Sequence, residues 1–429
     1  MTMESEFSHF YKRTQQQRLS ILQQTRGLTD EQRAILEAHE AHADAPQLIE
    51  NTIAAYQLPE GVAVNFVVNG RDYVVPMVTE EPSVIAAASN GAKQLARAGG
   101  MTATVSSRLL TGQIVLSDVK VYASIDDWVA LHQTELLETA AAAHPSIVKR
   151  GGGPKLVRTR DLGEGFVSID LSVDVRAAMG ANMMNTMLEA VAKVIQTKLH
   201  HTTLFSILSN AGDQSLATAS CSIPIAQLAQ EDAEAQLTAT KMAQASQIAQ
   251  LDPMRAVTHN KGIMNGVDAV VVAMGNDWRA IESAAHAYAA RDGQYRGLSQ
   301  WQVNGDQLVG TLTLPLPVGT VGGATTVLPL VAVNQKIAGI QSPEELMALI
   351  VSVGLAQNFA AIKALVTTGI QQGHMRMQLR SLAMSVGAQD HEIDDVVTQL
   401  KTHQDPTQTD AQQILTQMRK ERADNNAKH

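Results

Sequence analysis

The sequence predicts an α+β protein. It has a large mixed α/β domain, a small inserted module of split-βαβ (ferredoxin-like) type, and a helical C-terminal segment. Three observations carry this. At 429 residues the chain exceeds one ordinary domain. From about residue 107 it changes to short strands and helices in a β-α-β-β-α order, over about 100 residues. Beyond about residue 375 it turns polar, with two amphipathic helices around Val396–Leu400 and Ile414–Met418, split by "HQDPTQTD".

Composition narrows the function classes. Hydrophobic residues make up 45% and aromatics 3%, so the core is built of Ala, Val, Leu and Met. The net charge of -9 repels a phosphate backbone, so nucleic acid is not an expected partner. A single cysteine, Cys221, excludes a disulfide framework and fits a reducing cytosol. The start, "MTMESEFSHFYKRTQQQR", has no apolar signal core. "LVGTLTLPLPVGTVGGATTVLPLVAVNQ" is long and uncharged but is broken by Gly and Pro. It reads as buried strands and loops, not a membrane span. The expectation is a soluble, cytoplasmic protein.

The elements follow in order. "LTDEQRAILEAHEAHA" opens with Thr29 and Gln32 at capping-box spacing. His39 and His42 share one face of that helix; a metal pair is one reading, a solvated polar face the better one. In "GVAVNFVVNGRDYVVPMV", Asn69-Gly70 between two β-rich runs signals a two-residue hairpin. Glu80 and Glu81 follow. Pro82 suits a first helical turn and keeps Glu81 out of the helical region. Gly99-Gly100 closes the helix. "KRGGGPK" forms a turn inside the small module. Met179, Met183, Met187, Val191, Val194 and Ile195 recur at helical period. "GVDAVVVAMGNDWRAIESAAHAYAAR" reads as strand, turn and helix, with Asp277 in the turn. Residues 342 to 372 are helix-rich.

The common chemical fingerprints are missing. No G-x-G-x-x-G follows a first strand, and no C-x-x-C, H-E-x-x-H or G-x-S-x-G occurs. Gly180 in "AMGAN" opens a helix whose free N–H groups can hold a pyrophosphate, but a packing glycine explains it as well. Four polar residues sit in apolar surroundings: Glu81, Lys261, Asp277 and His374. Each has a plain alternative, as an exposed loop lysine, a helix N-cap or a helix-end histidine. Spacing does not bring them together.

Longer stretches do. "VPMVTEEPSVIAAAS", "AAMGANMMNT", "HNKGIMNGVDAVVVAMGNDWRAIESAAHAYA", "GTVGGAT" and "VGLAQNFAAIKALVTTGIQQGHM" resemble hydroxymethylglutaryl-CoA (HMG-CoA) reductases of the bacterial soluble class, class II. The resemblance runs from "FYKRTQQQRLSIL" to His374. It implies an oxidoreductase that reduces HMG-CoA to mevalonate and CoA with two hydrides from NADPH or NADH, or the reverse. It assigns Glu81, Lys261, Asp277 and His374 to catalysis, with Asp277 linking lysine and glutamate in a buried network. It assigns Ser83, Arg255, Asn265 and Asn358 to the substrate, and Met179, Gly180, Ala181 and Asn182 to the nucleotide-binding turn. The implied layout is a large domain in two parts, 1–108 and 213–373, around a cofactor-binding domain, 109–212. A flap, 374–429, brings His374 over the site. The assembly implied is a homodimer, or a multiple of dimers, with sites at the subunit interface.

Two places depart from the family pattern. "AAMGAN" has Ala177 where an acid is usual, and "ENTIA" (Glu50–Ala54) stands for "ENVIG". The first favours the alternative of a non-catalytic paralogue that binds acyl-CoA or nucleotide.

Overall fold

The computed structural model describes residues 6–39, 49–367, 379–403 and 406–426. It divides into two compact units, 1–59 and 60–429.

In the first unit, helices α1 (Gln15–Arg26) and α2 (Asp30–Ala38) each open on a threonine capping box, at Thr14/Gln17 and Thr29/Gln32. The unit closes on itself: the Arg18 guanidinium donates to Thr52 O at 2.9 Å, and Gln15 Nε2 to Ile53 O at 2.8 Å. These bonds pin the "ENTIA" segment. Ala54, where the family has glycine, is not among the residues with positive φ, so a Cβ is accommodated. His39 ends α2, its Nδ1 2.8 Å from Ile35 O, and His42 lies outside the described residues. Among the described residues no cluster of three metal-ligating side chains occurs.

The second unit begins with the hairpin β1 (Glu60–Val68) and β2 (Arg71–Val78). Asn69 and Gly70, with φ 52° and 75°, make the expected two-residue turn. Helix α3 (Val84–Arg97) starts two residues after Pro82, because Ser83 takes φ 77° and becomes its N-cap. Gly100 N–H then closes it onto Leu95 O. Strand β3 (Thr102–Val105) follows.

The small module is the predicted split-βαβ unit. It runs β4 (Leu110–Leu116), α4 (Tyr122–Ala143), β5 (Gly153–Gly163), β6 (Phe166–Asp174), α5 (Ala181–Leu199) and β7 (Thr203–Leu208). Its antiparallel sheet has the order β5-β6-β4-β7. The buried stripe of α5 runs through Met184, Met187, Leu188, Val191 and Ile195. Met183 and Val194 flank it, and Met179 lies before the helix.

The chain then returns through β8 (Leu216–Pro224), α6 (Asp232–Leu251), α7 (Pro253–Ala273), α8 (Trp278–Ala289), β9 (Ser299–Asn304) and β10 (Gln307–Pro315). Thus "GVDAVVVA", read as a strand, is the end of helix α7. Short β-branched apolar runs do not separate a strand from a buried helix. Strands β3, β8, β10 and β9 form a second antiparallel sheet. Helices α9 (Pro329–Ala338) and α10 (Pro343–Val366) complete the layer. Helix α10 is long and apolar enough to span a membrane, yet every residue from Leu346 to Ala360 is buried in the protein. Two final helices, α11 (Asp390–Leu400) and α12 (Gln408–Asn426), enclose a small core of Val396, Leu400 and Leu415. Arg419 grips Glu392 there through two nitrogens, at 2.9 and 2.7 Å, and holds its carboxyl down at about 2.

Candidate active site

The end of β2 delivers Glu81 beside α7, which packs on β2. There Lys261 Nζ donates to Glu81 Oε2 at 2.7 Å, joining positions 180 residues apart. This pair was expected, but as part of a buried network. In the single chain the lysine side chain is 60% exposed and the glutamate 32%, so water reaches both.

Among the described residues of the single chain, no hydrogen bond or ion pair joins Asp277 to Lys261 or Glu81. The Asp277 carboxylate accepts from Arg279 N–H at 3.0 Å and Ala280 N–H at 3.2 Å, capping α8, and pairs with the Arg279 guanidinium at 3.1 Å. All three contacts fall on Oδ1, so Oδ2 keeps its lone pairs. His374 lies outside the described residues.

The substrate candidates separate. Ser83 adjoins Glu81, and its Oγ is buried without a hydrogen-bond partner at a left-handed backbone position. Asn265 follows Lys261 by one helical turn, on the same face of α7. Arg255 precedes Lys261 by six residues on that helix, which sets it about 120° around the axis. Asn358 lies in the interior. It is 1% exposed, and its Oδ1 accepts from Ser299 Oγ and Trp301 Nε1, both at 2.8 Å. His259, whose Nε2 is 2.7 Å from Ser299 Oγ, joins this cluster. Burial, with the Arg255 charge, pushes His259 down to about 4. The carboxamide oxygen is engaged within the protein, and its Nδ2 lies 3.3 Å from His259 Nε2.

The nucleotide candidates line a second feature, a cavity of about 600 Å³ between two glycine turns. Met179 to Asn182 form one wall, Gly319 to Gly323 the other, and Asn276, Asp277 and Arg279 the floor. Glu81 and Lys261 are not among its lining residues. Gly180, at φ 92°, caps α5 and leaves the first N–H groups of the helix unpaired by any side chain. At Gly319 a Cβ would sit 2.4 Å from Met179 N, so only glycine lets the two turns approach. Ala177 takes part through its backbone: its carbonyl accepts from Thr320 N–H at 2.8 Å and Val321 N–H at 3.3 Å. No acidic side chain is needed for that contact. The uncapped N–H groups at the start of α5 fit a pyrophosphate-bearing cofactor.

Sequence reasoning missed three groups. His144, between α4 and the short helix Pro145–Lys149, also lines the cavity. Asp268 and Glu282 face one another between α7 and α8. Burial pushes the Asp268 carboxyl up to about 8, with the Glu282 hydrogen bond and charge adding to it. Glu282 Oε2 in turn lies 2.7 Å from His286 Nε2, and His286 Nδ1 2.7 Å from the Tyr295 hydroxyl. A charge inside the apolar run "GVDAVVVA" was the available signal. Cys221 is buried, which pushes its thiol up to about 12 and leaves it chemically quiet.

Known proteins match this arrangement. The family model for hydroxymethylglutaryl-coenzyme A reductase matches residues 14–379. The 3-hydroxy-3-methylglutaryl-coenzyme A reductase of Archaeoglobus fulgidus is 40% identical, over 92% of this chain and 90% of that protein. A probable reductase of Borreliella burgdorferi is 34% identical, over 78% and 77%. A solved reductase from Streptococcus pneumoniae superposes with a TM-score of 0.75 at 46% identity, covering 96% of this chain and 99% of that one. A class II reductase of the same organism, bound to NADPH in open conformations, gives 0.76 at 46% identity, over 95% and 100%. With the family model spanning nearly the whole described fold, the chain belongs to the hydroxymethylglutaryl-coenzyme A reductase family and is an oxidoreductase of that kind.

Proposed function

We propose that Lys261 and Glu81 are the reacting centre at which this chain reduces HMG-CoA to mevalonate and coenzyme A. The observation that carries the reading is their 2.7 Å contact across 180 residues, in a pair left open to an approaching ligand. Two molecules of a nicotinamide cofactor, NADPH or NADH, held in turn by Met179, Gly180, Ala181 and Asn182, would supply one hydride each. Lys261 presents an ammonium to the thioester oxygen as negative charge develops there. The C–S bond breaks and the coenzyme A thiolate leaves. By family resemblance His374 protonates it, which prevents its return. After the second reduction, the alkoxide takes its proton from Glu81. Closure of the site over Glu81 removes water and favours the protonated carboxyl. Ser83, whose hydroxyl has no internal partner, and Asn265 are placed to receive the hydroxymethylglutaryl group.

The same reading assigns residues 109–212 to the cofactor, 1–108 and 213–373 to the large domain, and 374–429 to the flap. A guanidinium grips a free carboxylate with two hydrogen bonds, and Arg255 has that chemistry. It lies about 120° from Lys261 on one helix. This favours a homodimer whose sites draw residues from both subunits. The localisation proposed is cytoplasmic, with no membrane or nucleic-acid partner.

The test mixes purified chain, HMG-CoA and either cofactor, and follows the nicotinamide absorbance. Oxidation of at least one cofactor with mevalonate formed is the expected result. Intact nucleotide binding without turnover identifies a binding paralogue instead.

A further inference from the structure

Arg108 is a half-buried cation outside the machinery described above. It lies between β3 and β4, where the chain first enters the small module. Beside it the outgoing and returning segments are stitched together, by Leu109 N–H to Gln214 O at 2.8 Å and Ser107 Oγ to Gln214 O at 2.7 Å. Its Nη2 donates to Ala178 O at 3.1 Å and to Val318 O at 2.6 Å. One carbonyl comes from each glycine turn of the cavity. Its Nε is buried without a partner, and among the described residues no carboxylate lies within ion-pair distance. Burial lowers its pKa, while Glu344 and Asp174 raise it only through space. A half-buried charge whose Nη2 meets two carbonyls and whose Nε meets nothing is costly, so it calls for an explanation beyond surface chemistry.

We infer that Arg108 is a positioning residue for the cofactor, tying the two glycine turns at the separation and orientation that bind the pyrophosphate. In a trans peptide the C=O and the following N–H point oppositely. Drawing Ala178 C=O towards Arg108 therefore turns Met179 N–H away from it, and the same holds for Val318 C=O and Gly319 N–H. Gly319 N–H is then met by Asn276 Oδ1 at 2.8 Å, which fixes a residue of the cavity floor. The guanidinium also places a positive charge behind a wall that receives an anion.

This inference rests on the cavity being the cofactor site, and the experiment separates the two. In the full-length chain, Arg108→Met and Arg108→Lys are compared with the unchanged protein. Fluorescence titration with NADPH and NADH gives Kd, and steady-state kinetics gives KM for cofactor and for HMG-CoA. Arg108→Met raises the cofactor Kd and KM by about tenfold, equivalent to about 1.4 kcal/mol. The KM for HMG-CoA and the kcat at saturating cofactor stay within about twofold. Arg108→Lys, keeping the charge but not the fork that spans two carbonyls, falls in between. The lysine variant carries the test if the methionine variant does not fold. Cofactor affinity unchanged in the variants, with only thermal stability reduced, overturns the inference and makes Arg108 a structural strap. Equal loss of affinity for both substrates overturns it too. If the unchanged protein binds neither nicotinamide nucleotide, the cofactor reading itself fails, and this inference with it.

Discussion

Two polar clusters meet on α7, and they differ in how their hydrogen bonds are used. Around His259, Ser299, Trp301 and Asn358 the groups are sealed in the interior: Ser299 is 0% exposed, Asn358 1% and His259 2%. Around Lys261 and Glu81 one strong contact is made and the remaining donors and acceptors face solvent. In the first cluster the Asn358 oxygen already accepts two hydrogen bonds. The second has two ammonium protons and a carboxylate oxygen to spare. A buried, saturated network holds strands to helices, while an open, half-satisfied pair is available for chemistry. Both contain residues that the family resemblance assigns to the site, and only the tertiary arrangement tells them apart.

The contrast breaks most readily at Lys261. Lys261→Ala is expected to lower kcat by roughly 10²–10³, the usual cost of losing one charge-stabilising donor. An exposed ion pair contributes only about 0–1 kcal/mol to stability. Thermal melting should therefore stay near that of the unchanged protein. A variant that keeps full turnover removes the lysine from the mechanism. One that unfolds readily would place the pair with the structural cluster.

Asn358→Ala tests the other side. It strands the Ser299 hydroxyl and the Trp301 indole N–H without an acceptor. Each such buried group costs about 1–3 kcal/mol, so the total expected is about 2–6 kcal/mol, read from the denaturant midpoint. Loss of turnover in a protein of unchanged stability would return Asn358 to the substrate.

A smaller effect sharpens the picture at the Asp268–Glu282 pair, where α7 meets α8. In the folded chain Asp268 keeps its proton up to about pH 8, whereas an unfolded aspartic acid loses it near about 3.9. Between those values folding takes up a proton. This contribution is fully present below about pH 3.9 and is lost as pH rises towards 8. For one proton the slope is at most about 1.4 kcal/mol per pH unit. Asp268→Asn removes the titrating group, so its stability should depend less on pH across that range. Identical profiles for the two proteins would show that Asp268 does not titrate there.

Much of this was legible in the chain itself. Asn69-Gly70 specified its hairpin because two positive φ values are needed there. Thr29 with Gln32 specified a helix start, and the β-α-β-β-α rhythm specified the small module with its sheet. Local backbone preference and side-chain periodicity act over a few residues, so they survive without tertiary information. The motifs around Glu81, Lys261 and Asp277 identified the family, since long matched stretches in one order are a property of sequence. What the sequence left open were the non-local questions. "GVDAVVVA" became helix because it continues α7 in a buried layer, which its β-branched composition cannot reveal. That Asp277 caps its own helix and that Asn358 bonds Ser299 and Trp301 was not readable either, because hydrogen-bond partners are decided by what packs nearby. The meeting of Lys261 with Glu81, and of Arg108 with two glycine turns, depends on contacts between remote segments. Only the packed fold decides those, because burial and geometry, not residue type, set which polar groups are spent and which remain free.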